Sequence, residues 1–237
     1  MRARGFTLTE ILIGLCLSLF MVVAAFEFFG ITRDLFIKLK GEEMDTQSAE
    51  AALDKIRIDL RRAGQGLVAP MRNSTIAGVE VAGQAITIAL GEKSYELGQD
   101  LVPGQTRVPL PATSGLSALR EVCLVENGWG ELHSISSVES GAIVIGEPLQ
   151  AAFSRTGGLL HLVEKISYFL DGPSGILRRK VNSSPAQPLL EEVAVFEFRY
   201  DASVNLAWAG FSMKNGKEGK YEISVFPKNI GLARPAP

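Results

Sequence analysis

The sequence predicts an α+β protein: a long N-terminal helix, transmembrane at first and amphipathic afterwards, packed on an antiparallel β-sheet globular domain. Three observations predict it. No charged residue occurs from Ile11 to Phe26. Between Ile31 and Leu60 apolar residues keep three- and four-residue spacing, the pattern of one helix face. After Gly64, short runs rich in β-branched residues alternate with Gly, Pro, Asn and Ser, the punctuation of strands and turns.

The chain opens on a basic leader, Met1-Arg2-Ala3-Arg4-Gly5, followed by Phe6-Thr7-Leu8-Thr9-Glu10. From Phe6 to Phe26 a helix would extend roughly 32 Å, enough for a hydrocarbon core of about 30 Å. With arginines only on the leader side, the N-terminus is expected in the cytoplasm and the rest of the chain outside it. A secretory signal peptide is the alternative, with Arg2 and Arg4 as its basic region and Val23-Ala24-Ala25 as its cleavage site. Two features oppose it. Glu10 puts a carboxylate, costly in lipid, at the start of the apolar run, and the helical pattern does not stop at Ala25.

Beyond the span charge returns at Glu27, Arg33, Asp34, Lys38, Lys40, Glu42 and Glu43. Ile31, Leu35, Leu39, Ala49, Leu53, Ile56 and Leu60 form one apolar stripe, which requires a sheet to cover it. Asp45, Glu50, Asp54, Lys55, Arg57, Asp59, Arg61 and Arg62 are placed on the other faces. Arg61 and Arg62 before Gly64 fit a helix C-terminus, where cations favour the dipole and glycine closes the turn. Gly41 costs about 1 kcal/mol against alanine and marks a candidate bend. The expected divisions are a leader at residues 1–5, a membrane and assembly helix at 6–29, an amphipathic helix at 30–63, a β domain at 64–232 and a disordered tail at 233–237.

Strands are expected at residues 76–81, 85–90, 119–126, 131–137 and 142–145, then at 160–170, 176–181, 189–200 and 221–227. Phe196, Phe198 and Tyr200 share one strand face and make an aromatic inner surface if the sheet packs on the helix. Asp171-Gly172-Pro173-Ser174-Gly175 is turn chemistry, and Asn215-Gly216-Lys217-Glu218-Gly219-Lys220 reads as an exposed hairpin loop.

The 237 residues carry 24 Lys and Arg against 26 Asp and Glu, a formal net charge of -2, with no basic stripe for nucleic acid. Cys16 falls in the apolar helix and Cys123 in a strand, so no intrachain disulfide is expected, and Cys123 reads as a buried thiol. His133 and His161 lie far apart, without neighbours at metal-ligand spacing, and read as strand histidines. Asp171 and Glu191 lack the clustered acidic loop of a calcium site. Nucleophile elbows, phosphate-binding glycine loops and dinucleotide fingerprints do not occur, so neither catalytic residues, cofactors nor metals are expected.

A glycine, a Phe after it and a Glu four residues later, opening an apolar helix, resemble the class III signal of the type IV pilin superfamily. Here these are Gly5, Phe6 and Glu10. The resemblance implies a pilin-like fold, cleavage by a prepilin peptidase between Gly5 and Phe6, N-methylation of Phe6, and retention of the helix. Glu10 then pairs with the terminal amine of a neighbouring subunit and sets register in the filament; in an unassembled monomer it reaches for the headgroups instead. The proline with which major pilins interrupt the helix is absent between Met1 and Ala69. A looser similarity, to PilW-like minor pilins and J-type minor pseudopilins, is carried by Asp59-Leu60-Arg61-Arg62-Ala63-Gly64, Ile166-Ser167-Tyr168-Phe169-Leu170, Gly175-Ile176-Leu177-Arg178-Arg179, Pro188-Leu189-Leu190-Glu191-Glu192-Val193 and Phe196-Glu197-Phe198-Arg199-Tyr200. It implies a minor pilin used at low copy near the filament tip to help initiate assembly. Its partners would be other minor pilins, the major pilin, the prepilin peptidase and the inner-membrane assembly machinery. It would sit in the inner membrane as a single-pass protein with a periplasmic domain, then at the pilus tip. Two alternatives stand beside it: a pseudopilin of type II secretion or DNA uptake, and a membrane-anchored binding module.

Overall fold

Helix α1 spans Leu8–Arg62 in a computed structural model that describes residues 7–214 and 220–233. The chain divides between Ser48 and Ala49 into two units. In the first, every described residue is exposed, apolar ones included. Gly41 lies within α1 without interrupting it. Hydroxyl groups here bond to the helix itself: Ser18 Oγ donates to the Leu15 carbonyl at 2.9 Å and Thr32 Oγ1 to that of Phe28 at 2.8 Å.

The second unit begins where the stripe on α1 becomes buried. Ala49, Ala52, Leu53, Ile56 and Leu60 pack into a core, whereas Ile31, Leu35 and Leu39 are 71, 56 and 55% exposed. The spacing is helical throughout, but spacing reports periodicity and not whether a partner surface exists. Asp59, expected on an outer face, is fully buried. The helix ends at Arg62; Gly64 follows with φ +72°, a left-handed conformation that glycine adopts without strain, and its N–H bonds to the Ala89 carbonyl at 2.8 Å.

After the short helix α2 (Val68–Arg72) come β1 (Val79–Ala82), β2 (Ala85–Glu96), β3 (Arg107–Pro109), β4 (Glu121–Glu126), β5 (Trp129–Glu139), β6 (Ala142–Ile145), β7 (Leu159–Asp171), β8 (Ile176–Val181) and β9 (Gln187–Leu190). These nine strands form one sheet. β10 (Val193–Asp201), β11 (Leu206–Met213) and β12 (Lys220–Val225) form a second, and helix α3 (Lys228–Ala233) follows. All the described pairings are antiparallel.

Strand β7 organises the large sheet. One edge pairs with β2 over residues 159–169; the other pairs first with β4, over residues 159–163, and then with β8, over 166–171. Asn182 fills the junction, donating its N–H to the Lys165 carbonyl at 2.7 Å and accepting the Lys165 N–H on Oδ1 at 2.8 Å, so no backbone group is orphaned where the neighbour changes. The order β4-β5-β6-β3 continues from one branch and β9 from the other.

Two cores share one face of the β2–β7 ribbon. The first holds the end of α1, Ile86, Ile88, Leu90, Ile166, Tyr168 and the small sheet; the second is built from residues 95–162, including Tyr95, Leu160 and Leu162. In β2 the buried positions change from even to odd between Leu90 and Tyr95. A bulge between Gly91 and Lys93 inserts the extra residue that makes this possible, and Tyr95 opposes Leu160 on the face where Ile88 opposes Ile166.

The strand expected at 189–200 is two strands in different sheets. Glu192, at φ +57°, turns the chain between β9 and β10. On β10, Phe196, Phe198 and Tyr200 face the first core as expected. β3 and β11 are strands that the pattern missed, the latter because Ala207, Ala209 and Gly210 are weak strand formers. Ala207 and Ala209 are buried in the same core as Ala49 and Ala52. The turn at Asp171 forms as expected, its carbonyl accepting the Gly175 N–H at 2.7 Å. Of the expected tail, Ala233 is buried in α3, and residues 234–237 lie outside the described residues. The hairpin loop at 215–219 lies outside them as well, and Lys220 opens β12.

Candidate functional site

Gly5 and Phe6 lie outside the described residues, and Glu10 is the sequence-predicted site residue that the structure describes. It sits in the first turn of α1, three residues after Thr7. Glu10 Oε2 accepts the Thr7 N–H at 2.9 Å and the Thr7 hydroxyl at 2.9 Å, while the Glu10 N–H is 3.4 Å from Thr7 Oγ1 and 3.1 Å from the Thr7 carbonyl oxygen. This is a reciprocal cap, in which the side chain at the helix entrance and the carboxylate three positions later satisfy each other's backbone donors. Thr7-Leu8-Thr9-Glu10 has the spacing of such a cap, a signal the reading of Glu10 as an assembly residue passed over. A carboxylate at this end also meets the positive end of the helix dipole.

What the arrangement can do chemically follows from its surroundings. Glu10 is the single ionisable carboxylate between Leu8 and Phe26, on a helix long and apolar enough to cross a membrane and wholly exposed over that stretch. Its Oε2 is engaged locally, and a carboxylate offers further lone pairs for a cation.

A second cluster was not foreseen. Asp59, with no exposed surface, accepts on Oδ2 the Tyr168 hydroxyl at 2.5 Å and Arg179 Nε at 2.8 Å. Lys55 Nζ lies 3.6 Å from Oδ1, which has no hydrogen bond. Burial, then the Asp59 carboxylate, pushes the Tyr168 phenol well above its ordinary range, keeping it a donor. Burial alone would lower Arg179, but the hydrogen bond and charge of Asp59 outweigh it and hold the guanidinium charged. Asp59, Tyr168 and Arg179 come from three of the five segments that carry the looser similarity, and the fold brings them together. The signal available in the sequence was Asp59 itself, an acid one residue before Leu60 on the border of the apolar stripe.

The remaining candidates are engaged within the fold. His161 on β7 bonds through Nδ1 to Ser94 Oγ at 2.9 Å, and burial depresses its basicity. His133 Nε2 on β5 lies 2.8 Å from Glu131 Oε2, whose carboxylate also accepts the Ala151 N–H at 2.6 Å. Both cysteines are free thiols; burial pushes Cys123 up to about 12, leaving it unreactive. Asp171 pairs with Arg178 at 3.1 Å, and among the described residues no His, Cys, Asp and Glu cluster has metal-binding geometry.

No protein-family model matches the chain, and no curated protein does. Among solved structures it is similar to the Gp54 tailspike of Acinetobacter baumannii bacteriophage AP22, in complex with A. baumannii capsular saccharide, at 11% identity and a TM-score of 0.28. The match covers 32% of this chain and 15% of the tailspike, and a likeness that slight carries no argument.

Proposed function

We propose that the chain is a minor pilin of a type IV pilus, processed by a prepilin peptidase between Gly5 and Phe6 and incorporated at low copy near the filament tip, where it helps initiate assembly. One observation carries the reading: an exposed apolar stretch of helix, Leu8 to Phe26, whose lone carboxylate, Glu10, lies four residues after the Phe of a Gly-Phe junction. An anchor that only tethers a domain gains from a carboxylate there no more than the helix cap with Thr7, whereas a helix that packs among others with a fixed axial offset gains a registration point as well. A minor pseudopilin of a secretion or DNA-uptake system would use the same chemistry. The binding-module alternative uses Glu10 only as the cap of its anchor helix.

Replacing Glu10 tests the role. Glu10→Val is expected to insert in the membrane and fold, with the melting temperature of the parent, yet to be absent from sheared filaments and from the initiating complex. Glu10→Asp keeps the charge with shorter reach and should be partly impaired. Normal incorporation of the valine variant contradicts the assignment.

A further inference from the structure

The chain has two tryptophans, and they meet opposite fates. Trp208, on the outer face of β11, is served by its own neighbours: Arg199 and Lys220 lie 5.7 and 4.8 Å from the ring centroid, and its Nε1–H donates to Glu222 at 2.9 Å. Trp129 shares a cleft with Asp100 and Glu126 and, among the described residues, has no cation over its ring. It opens β5 immediately after Asn127 and Gly128, both at positive φ, the tight hairpin turn that Asn-Gly favours. The residue is 57% exposed.

Trp129 borders an open cleft of about 730 Å³, a size typical of ligand sites. The floor is Leu101 and Phe153, two buried residues that exchange backbone hydrogen bonds of 2.8 and 3.1 Å. Val102, 59% exposed, supplies an apolar wall. Asp100 and Glu126 are the two ionisable residues of the lining. Both are fixed by bonds to the opposite loop: Asp100 Oδ1 accepts the Arg155 N–H at 2.7 Å, and Glu126 Oε2 accepts the Ser154 N–H at 2.6 Å. The walls are therefore held in place before any ligand arrives, the Ser154 hydroxyl also donating to Glu126 Oε1, and neither carboxylate has a cationic partner among the described residues.

We infer that this cleft binds an arginine or lysine side chain presented by a partner protein. The cationic head lies over the Trp129 ring beside Asp100 and Glu126, and its methylene stem runs along Val102 toward the apolar floor. The cleft takes from outside the cation that Trp208 receives from its own sheet. Charge complementarity selects this occupant over an uncharged apolar side chain, which would leave both carboxylates facing it without compensation. The inference does not depend on how the N-terminal helix is processed or assembled.

The test uses the full-length chain in detergent with its tryptophan indoles labelled with nitrogen-15, so that Trp129 and Trp208 report separately. The probes are a blocked Gly-Gly-Arg-Gly-Gly peptide and its citrulline counterpart, the neutral isostere. The arginine peptide should shift the Trp129 signal saturably and leave Trp208 in place. Citrulline, or Asp100→Asn in a chain of unchanged melting temperature, should weaken binding about fivefold, and added salt should weaken it further. Equal binding of the citrulline peptide, saturation at Trp208 instead, or an unshifted Trp129 signal would overturn the inference. A neutral saccharide saturating Trp129 where the arginine peptide does not would overturn it too.

Discussion

Asp59 shows how one buried charge ties distant parts of the sequence. Its carboxylate on α1 holds Tyr168 of β7 and Arg179 of β8, and the cluster fixes the rotation of the buried helix turns against the large sheet. A buried ion pair adds little net stability against an apolar replacement, but removing one partner leaves the other's charge stranded. Asp59→Ala should therefore destabilise the second unit by about 3 kcal/mol, the low end for such a loss because Arg179 keeps 19% of its side chain exposed. Tyr168→Phe removes one donor while the Arg179 contact remains, and should cost about 1 kcal/mol. Thermal unfolding of the full-length chain in detergent, read by circular dichroism, checks the order. Equal losses for the two variants would show that the charge is not what matters. Glu10 and Asp59 also differ in legibility. Glu10 announced itself by being the one acid in an apolar run, whereas Asp59 sits among Lys55, Arg57, Arg61 and Arg62 and looks like one more surface charge. Its burial depends on partners more than a hundred residues away.

At the scale of elements, the limits of pattern reading have specific causes. α1 was legible because its periodicity is long and its end is marked by Arg61, Arg62 and Gly64. Where its stripe becomes covered was not, since Leu35 and Ile56 occupy equivalent positions in the pattern and differ only in what lies against them. The end of β2 was lost at Leu90 because the bulge at Gly91 breaks the alternation that defines a strand, although pairing with β7 runs on to Glu96. β9 and β10 merged into one expected strand because Glu191 and Glu192 carry no Gly or Pro to mark the change of sheet. The division of α1 makes a testable contrast. Ile56→Ala opens a cavity in the first core and should lower stability by about 3 kcal/mol. Leu35→Ala, at an exposed position, should leave the unfolding of the second unit within about 0.5 kcal/mol of the parent. A comparable loss in both variants would mean that the stripe is covered along its whole length.

At the scale of the whole molecule, the second core is the informative feature. It is built entirely from residues 95–162 and extends from the β2–β7 ribbon, giving the β unit a large further core beyond the one that covers the end of α1. A subunit repeated along a filament must stack at a small axial rise, and an additional core of this size works against close stacking. A subunit used once or a few times at the end escapes that limit. We therefore expect low copy number, tip location and loss of filament initiation on deletion. An epitope appended after Pro237 serves for immunogold labelling, because Ala233 itself is buried. Gold confined to filament ends agrees with this account, and decoration along the whole length at the density of the major subunit contradicts it.

The central claim, that the apolar helix is kept and the mature chain begins at Phe6, is tested most directly by the intact mass of the chain purified from membranes. The account predicts a species that lacks residues 1–5 and carries one added methyl group, and Gly5→Val should leave the precursor uncut. A mature chain beginning at Phe26 would contradict it, because the helix would then be a discarded signal and Glu10 would have no place in the working protein.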